Sequence, residues 1–321
     1  MMEERALGIV GLGRMGGGVA AQARARSMRV VATTRRGVPE ELLEMGVVDA
    51  GGLGGFRDHL EPPRVVCVWV PAGPVVDDIL DALAGALEPG DIVVDGGNSY
   101  WGDSRRRHAR LREQEIRLVD LGISGGIAGA RAGACMMAGG EARALARVRP
   151  LLEPFCVEGG YVDAGPPGAG HFTKLVHNGI EFGMLQAIAE GVDLLEHYDD
   201  ALPVADVLRC WRHGSVIRSW LVDLMEQAYR DEGGLEHVPA HVEDTGEVNW
   251  LVADALRLER PTPVIAQAVQ QLFVSRDANR AWARAIAMMR KGFGGHPYGP
   301  DEHVARERAT GRVGPIWRQA D

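Results

Sequence analysis

Cysteine is scarce in this chain. Cys67, Cys135, Cys156 and Cys210 are the only four, and no two form a Cys-x-x-Cys pair. Their scatter argues against a disulfide framework. None falls at zinc spacing with the histidines, so no metal site is expected, and the expectation is reduced thiols in the core. Long apolar runs are also missing, and none approaches the length needed to cross a bilayer. Met1-Met2-Glu3-Glu4-Arg5 lacks the basic-then-apolar pattern of a secretory signal, which makes a cytoplasmic location the expectation. Positive charge is in deficit: the formal net charge is −9 and the sequence pI about 5.6. Such a chain is a poor binder of nucleic acid or anionic membrane, and an anionic substrate would need a local basic site.

What remains is a soluble globular composition, 46% hydrophobic and 25% charged, over 321 residues. That length suits two domains. The apolar run Ala6–Val10 is strand-like and leads into Gly11-Leu12-Gly13-Arg14-Met15-Gly16, followed by a small-residue helical pattern from Gly17 to Arg26. Strand, G-x-G-x-x-G turn and helix in that order form a dinucleotide cradle. The first glycine allows the turn, the second lets backbone approach a pyrophosphate, and the third seats the helix on the strand. A second strand, Arg29–Thr33, ends without the acidic residue that binds the ribose hydroxyls in NAD-selective proteins. Thr34, Arg35 and Arg36 stand there instead, with a guanidinium able to fork onto a 2′-phosphate, which argues for NADP.

Further strand-like runs alternate with helices: Arg64–Val70 before a helix at Pro74–Leu87, Asp91–Asp95 before one near Asp103–Gln114, then Ile116–Leu121. This alternation predicts an α/β Rossmann fold, a doubly wound and mostly parallel sheet. Val70-Pro71-Ala72-Gly73, Gly96-Gly97-Asn98-Ser99 and Ser124-Gly125-Gly126 fall at the strand-end edge where such sheets bind ligands. Arg105-Arg106-Arg107 reads as a solvated helix face, with Asp103 and Ser104 as helix-start signals.

After the hinge Gly165-Pro166-Pro167-Gly168-Ala169-Gly170 the strand patterns stop. Helical patterns run over His171–Tyr198, Val204–Arg230, Glu247–Leu258 and Pro263–Met289, the last with a break near Asp277. The division expected is a Rossmann-like domain over 1–166 and an all-α domain with a tail over 167–321. Trp211, Trp220, Met225, Trp250, Trp282, Met288 and Met289 are expected in the core. Apolar helices without a closing sheet also lead us to expect a homodimer. His237 and His241 have i, i+4 spacing, but Pro239 between them argues against a metal-binding helix. On the first of these helices Lys174, His177, Asn178 and Glu181 fall within about a third of the circumference at 100° per residue. An amine, an imidazole, an amide and a carboxylate on one face near a helix start form either a solvated face or a reaction centre.

Four stretches together resemble the 6-phosphogluconate dehydrogenases, within the β-hydroxyacid dehydrogenase superfamily. They are the glycine turn, Asp95-Gly96-Gly97-Asn98-Ser99, the run Gly122-Ile123-Ser124-Gly125-Gly126 with Gly129-Ala130-Arg131, and Gly170–Glu181 with its Lys-x-x-His-Asn-x-x-Glu. The length looks like the family's short form. The resemblance implies oxidative decarboxylation of 6-phosphogluconate to ribulose 5-phosphate and CO2 with reduction of NADP, or of NAD. It makes Lys174 the base at the C3 hydroxyl and then the acid at the C3 carbonyl, with Glu181 protonating C1. Asn178 joins the catalytic group. Asn98, Ser124, Gly125, Gly126, His177 and Thr245 fall on substrate-binding positions, and Gly11, Leu12, Gly13, Met15, Gly16, Val70, Pro71 and Asn98 on the cofactor side. In Arg-x-x-Phe-Gly-x-His, Arg290 and His296 resemble the tail that reaches a partner subunit's site, Arg290 toward the phosphate. Departures are Phe182 where the family often has tyrosine, and Glu243 where the long form has lysine. The long form's phosphate arginine falls near Gln271, with Arg276 a turn away as a substitute. They leave open a related, unphosphorylated sugar acid as substrate. A non-catalytic NADP-binding regulator is the remaining alternative, disfavoured by the intact Lys174, Asn178 and Glu181.

Overall fold

The computed structural model describes residues 5–303 and 306. The first four residues, read above for a signal, and the end of the C-terminal tail lie outside the described residues. The chain forms two compact units, one of 5–233 with 244–269, the other of 234–243 with the residues from 270 on.

The first unit begins as a run of strands and helices: β1 (Ala6–Val10), α1 (Arg14–Ala25), β2 (Arg29–Thr33), α2 (Glu40–Glu44), β3 (Val48–Asp49), α3 (Phe56–His59), β4 (Val65–Val68), α4 (Pro74–Ala86), β5 (Ile92–Asp95), α5 (Trp101–Arg112), β6 (Arg117–Ser124), α6 (Gly126–Ala132), β7 (Ala134–Gly139), α7 (Ala142–Leu152) and β8 (Cys156–Gly165). The eight strands order as β3-β2-β1-β4-β5-β6-β7-β8, all pairs parallel except β6 with β7. Alternate residues of β1 face opposite sides. Leu7 and Ile9 join one apolar cluster and Val10 the other, while every residue of β4 and β5 is buried. Strands covered on both faces need the continuous apolar runs seen here. The mostly parallel Rossmann-like sheet is thus as the sequence implies. β1 lies between β2 and β4, so consecutive crossovers leave in opposite directions and open a crevice at the strand ends.

The helical part follows as α8 (Ala169–Glu196), α9 (Val204–Trp211), α10 (Trp220–Glu232), α11 (Glu247–Arg257), α12 (Pro263–Arg276) and α13 (Ala281–Gly294). α8 is about 42 Å long at 1.5 Å per residue. Its first turns lie against β6 and β7, so the change from sheet to helices falls inside the first unit. Asp120, a buried acid of β6, receives the backbone N–H groups of Gly168 (2.6 Å) and His171 (2.8 Å). Two otherwise orphaned donors are satisfied and α8 is pinned to the strand. Burial pushes the Asp120 carboxyl up, and the His171 charge and these donors pull it back. Gly122 lets the helix come that close, because a Cβ there would stand 2.4 Å from the Lys174 Cβ. In the second unit the loop before residue 244 meets the end of α12. Glu243 pairs with His241 (2.8 Å) and Arg276 (3.4 Å), and Val242 N–H donates to Ser275 (3.2 Å).

Several local expectations are corrected. Arg107 is not on a solvated face. Its side chain is 1% exposed, bound to Asp77 (2.9 Å) and the Gly73 carbonyl (3.1 Å), with Asp95 at 3.6 Å. α5 starts at Trp101 with Tyr100 as its cap, so Asp103 sits inside the first turn. The Ser104 hydroxyl bonds back to the Tyr100 carbonyl and lies 2.7 Å from His171. The helix expected over Val204–Arg230 breaks into α9 and α10 around Gly214, which has φ +75°, and Ser219 caps α10. Of the cysteines only Cys67 is in the core, and Cys135 and Cys210 are exposed. Trp211, Met225 and Trp250 pack in helical clusters, whereas Trp220, Trp282, Met288 and Met289 are more than half exposed. The break near Asp277 falls between α12 and α13.

Candidate active site

A cavity of about 1400 Å³ opens in the first unit at the strand-end crevice. Its cofactor-like wall is built by short turns. Gly11, at φ +91°, takes a backbone shape that L side chains avoid, and a Cβ on Gly16 would stand 2.0 Å from the Gly11 carbonyl. A Cβ on Gly13, by contrast, would meet nothing within 4 Å. The turn is therefore closed behind and open toward the cavity. Gly13, Arg14, Met15 and Gly16 bring the start of α1 to the wall, with no side-chain cap and no acid in the first turn. An uncapped helix start with free amides suits a pyrophosphate. Val70 and Pro71 from the loop after β4 continue the wall. Asn98 enters it from the loop after β5, which buried Asp95 holds through Gly97 N–H (3.0 Å) and the Ser99 hydroxyl (2.8 Å).

The opposite wall is the polar face of α8. Lys174, His177, Asn178 and Glu181 all line the cavity, with Ser124, Gly125 and Gly126 beside them and Thr245 at the far side. The face is therefore a reaction-centre candidate rather than a solvated surface. Ser124 Oγ is 3.0 Å from His177 Nε2. His177 Nδ1 is 3.2 Å from Asn178 Oδ1, 3.5 Å from Lys174 Nζ and 3.8 Å from a Glu181 oxygen. Burial lowers the Lys174 pKa from its ordinary value, and the carboxylates of Glu181 and Glu247 partly restore it. Lys174 is one of two lysines in the chain; the other, Lys291, is exposed on α13. Arginine supplies nearly all the other positive charge, and an ammonium, unlike a guanidinium, shifts its pKa readily when buried.

Some expected residues lie elsewhere. Gly11 and Leu12 sit behind the turn, where Gly11 N–H bonds to Thr33 (2.9 Å) and Leu12 packs on the core. Thr34, Arg35 and Arg36 follow β2 beside that turn, both arginines exposed, and are not part of the cavity wall. Arg276, Arg290 and His296 belong to the second unit, with Arg290 exposed on α13. One residue lining the site and one acid that anchors α8 behind it escaped the sequence reading. Glu247, at the first turn of α11, lines the cavity, accepts from the Asn178 amide (3.3 Å) and is hydrogen-bonded by the Thr245 hydroxyl. Asp120 was visible only as a lone acid within the apolar run Leu118–Leu121. A third acid, buried Asp254 of α11, receives Trp101 Nε1 (2.6 Å) and the Tyr100 hydroxyl (3.3 Å), bracing α5 against α11.

Two family profiles match this architecture in order. Residues 6–160 match the NAD binding domain of 6-phosphogluconate dehydrogenase, and residues 170–297 match the 6-phosphogluconate dehydrogenase C-terminal domain. The chain belongs to the 6-phosphogluconate dehydrogenase family. An NAD(+)-dependent, decarboxylating 6-phosphogluconate dehydrogenase of Haloferax volcanii is 36% identical over 293 residues, 90% of this chain and 97% of that protein. The YqeC protein of Bacillus subtilis (strain 168), whose own assignment as a 6-phosphogluconate dehydrogenase is provisional, is 39% identical over 90% of this chain and 98% of that one. Among solved structures, Plasmodium falciparum 6-phosphogluconate dehydrogenase superposes with a TM-score of 0.76 at 25% identity, covering 92% of this chain and 66% of that one. The chain thus has the size of the family's short members. Its cradle is that of an NAD- or NADP-dependent dehydrogenase, and no helix among the described residues is long and apolar enough to span a membrane.

Proposed function

We propose that the chain oxidatively decarboxylates 6-phosphogluconate to ribulose 5-phosphate, preferring NADP, in the cytoplasm. The observation that carries this reading is the half-buried Lys174 amine, with its pKa lowered by burial, facing the dinucleotide cradle across one cavity with Glu181 two turns farther along the helix. A nicotinamide dinucleotide held by Gly13, Met15, Gly16, Val70, Pro71 and Asn98 supplies the hydride acceptor. Lys174, uncharged, takes the proton of the C3 hydroxyl as that carbon becomes a ketone. The resulting ammonium hydrogen-bonds the new carbonyl, which acts as the electron sink, and returns its proton to that oxygen as the C1 carboxylate leaves as CO2. Glu181 then delivers a proton to the carbon that bore the carboxylate, C2 of the gluconate and C1 of the pentulose, while Lys174 takes back the hydroxyl proton. The pair ends with its protons exchanged and resets before the next turnover. Ser124, Gly125, Gly126, His177, Asn178 and Thr245 hold the sugar acid between the two groups.

For the phosphate we propose Arg290 and His296 from the tail of a second copy in a homodimer, with Arg276 assisting. The exposed apolar side chains of α13, Trp282, Ile286, Met288 and Met289, support burial against another subunit. One observation favours a second reading. Glu243, where the long form has lysine, is paired with Arg276 and so neutralises a phosphate partner. An unphosphorylated sugar acid is the substrate in that case. The test is NADPH formation at 340 nm, with 6-phosphogluconate or gluconate as substrate and NADP or NAD as acceptor. Turnover requiring the phosphate supports the first reading, and equal rates with both acids sink it. Binding of NADPH without turnover of any sugar acid would instead make the protein a regulator.

A further inference from the structure

We infer that Glu247 is a positioning residue: its carboxylate orients the Asn178 amide and, through that amide, fixes which nitrogen of His177 carries the proton beside Lys174. The inference rests on Lys174 being the base proposed above. An ionised carboxylate only accepts hydrogen bonds. Glu247 opens α11, where the helix start favours negative charge, and its Oε1 lies 3.3 Å from the Asn178 side chain. The atom facing it must be Nδ2, so the carboxylate settles an amide orientation that is otherwise ambiguous. The Asn178 oxygen then faces His177 Nδ1 at 3.2 Å. Two acceptors cannot bond without a proton between them, so Nδ1 carries it. A Glu181 oxygen stands 3.8 Å from the same nitrogen, beyond hydrogen-bond reach, which leaves Asn178 as the acceptor. His177 Nε2 is left with its lone pair and accepts from the Ser124 hydroxyl at 3.0 Å.

The polarity therefore runs one way along the site. The Thr245 hydroxyl and the Asn178 amide both donate to Glu247, His177 donates to Asn178, and Ser124 donates to His177. Lys174 Nζ lies 3.5 Å from Nδ1 and meets an N–H rather than a lone pair. An uncharged amine can accept from that N–H, whereas an ammonium has no lone pair to offer it. Glu247 touches none of the reacting atoms in this scheme. It acts by holding two neighbours of the base in one arrangement.

The test compares Glu247→Met, which removes the acceptor, with Glu247→Gln, whose amide oxygen can still receive the Asn178 N–H. Long-range proton–nitrogen correlation spectra near pH 8, with His177 assigned by its loss in His177→Gln, read the tautomer without any substrate. The expected result is Nδ1–H in the unmodified protein, a mixture of tautomers in Glu247→Met, and Nδ1–H again in Glu247→Gln. In parallel, kcat falls about tenfold in Glu247→Met with unchanged NADPH binding, and returns to within about threefold of the starting enzyme in Glu247→Gln. Nε2–H in the unmodified protein overturns the inference. So does a Glu247→Met variant with Nδ1–H and kcat both unchanged, or a Glu247→Gln variant as impaired as Glu247→Met. If the protein turned over no sugar acid, the proposed function would fall while the tautomer measurement still judged the role of Glu247.

Discussion

Replacing Gly122 with alanine tests whether the seat of α8 governs catalysis. The added methyl would stand 2.4 Å from the Lys174 Cβ and 2.9 Å from the Gly170 carbonyl oxygen. Non-bonded carbons settle at about 3.5–4.0 Å, so the shortfall is more than 1 Å. Both obstacles are the near ends of α8 residues and not flexible tips, and Asp120 holds the start of that helix to the strand that carries Gly122. The helix must therefore move at Lys174, by about 1 Å. Overpacking of this kind costs about 1–3 kcal/mol, and a 1 Å misplacement of a catalytic group costs about a hundredfold in rate. The assay is steady-state NADPH formation beside thermal unfolding. kcat should fall about a hundredfold, while Tm drops by about 2–10 °C and NADPH binding persists. A folded variant with unchanged kcat would refute the claim that this close approach sets the position of Lys174.

Lys174→Met should abolish turnover and leave NADPH affinity within about twofold, measured by nucleotide fluorescence. Because burial lowers the Lys174 pKa and the group works uncharged, the rate should rise with pH through that lowered value. Carbon-13 lysine labelling gives only two side chains to titrate, and a rate that fell as Lys174 lost its proton would contradict its role as base. Arg35→Ala should raise KM for NADP about tenfold more than KM for NAD, and an unchanged ratio removes Arg35 as the 2′-phosphate partner. Asp77 is held down to about 2, first by its hydrogen bond to Arg107 and then by Arg106. Its folded pKa lies below the unfolded one, so the pairing contributes about 2 kcal/mol above pH 4, lost as pH falls from about 4 to about 2. Denaturant titrations across that range should flatten in Asp77→Asn, and the same acid limb in both proteins would refute the pairing.

The parts of the site legible in the sequence depend on local backbone geometry or helical spacing. The glycine turn at Gly11–Gly16 and the face bearing Lys174, His177, Asn178 and Glu181 are fixed by residues close in the chain. The parts that were not legible depend on distant partners. Arg107 reads like its neighbours Arg105 and Arg106, and only the approach of Asp77 from α4 makes it a buried strut. Glu247 comes into register with Asn178 only when α11 packs beside α8, across 69 residues of sequence. The outer strands escaped for another reason. Ala134–Gly139 is apolar but built of Ala, Cys, Met and Gly, and Cys156–Gly165 is interrupted by glycines and half exposed, so neither carries the β-branched run that marks β4 and β5. Trp282, Met288 and Met289 show the converse, since residue type alone suggested a core that this chain by itself does not give them.

The near-absence of lysine has a practical consequence. Apart from the chain's α-amine, amine-directed reagents find two primary amines: one on exposed α13 and one inside the cavity. An amine whose pKa is lowered offers more of its nucleophilic form at neutral pH. Activated esters, aldehydes and acyl phosphates small enough to enter will therefore modify Lys174 in the cavity, and on the proposed function a bound sugar acid should shield it. Coupling to a solid support through lysine will fix the molecule in essentially one orientation, by Lys291.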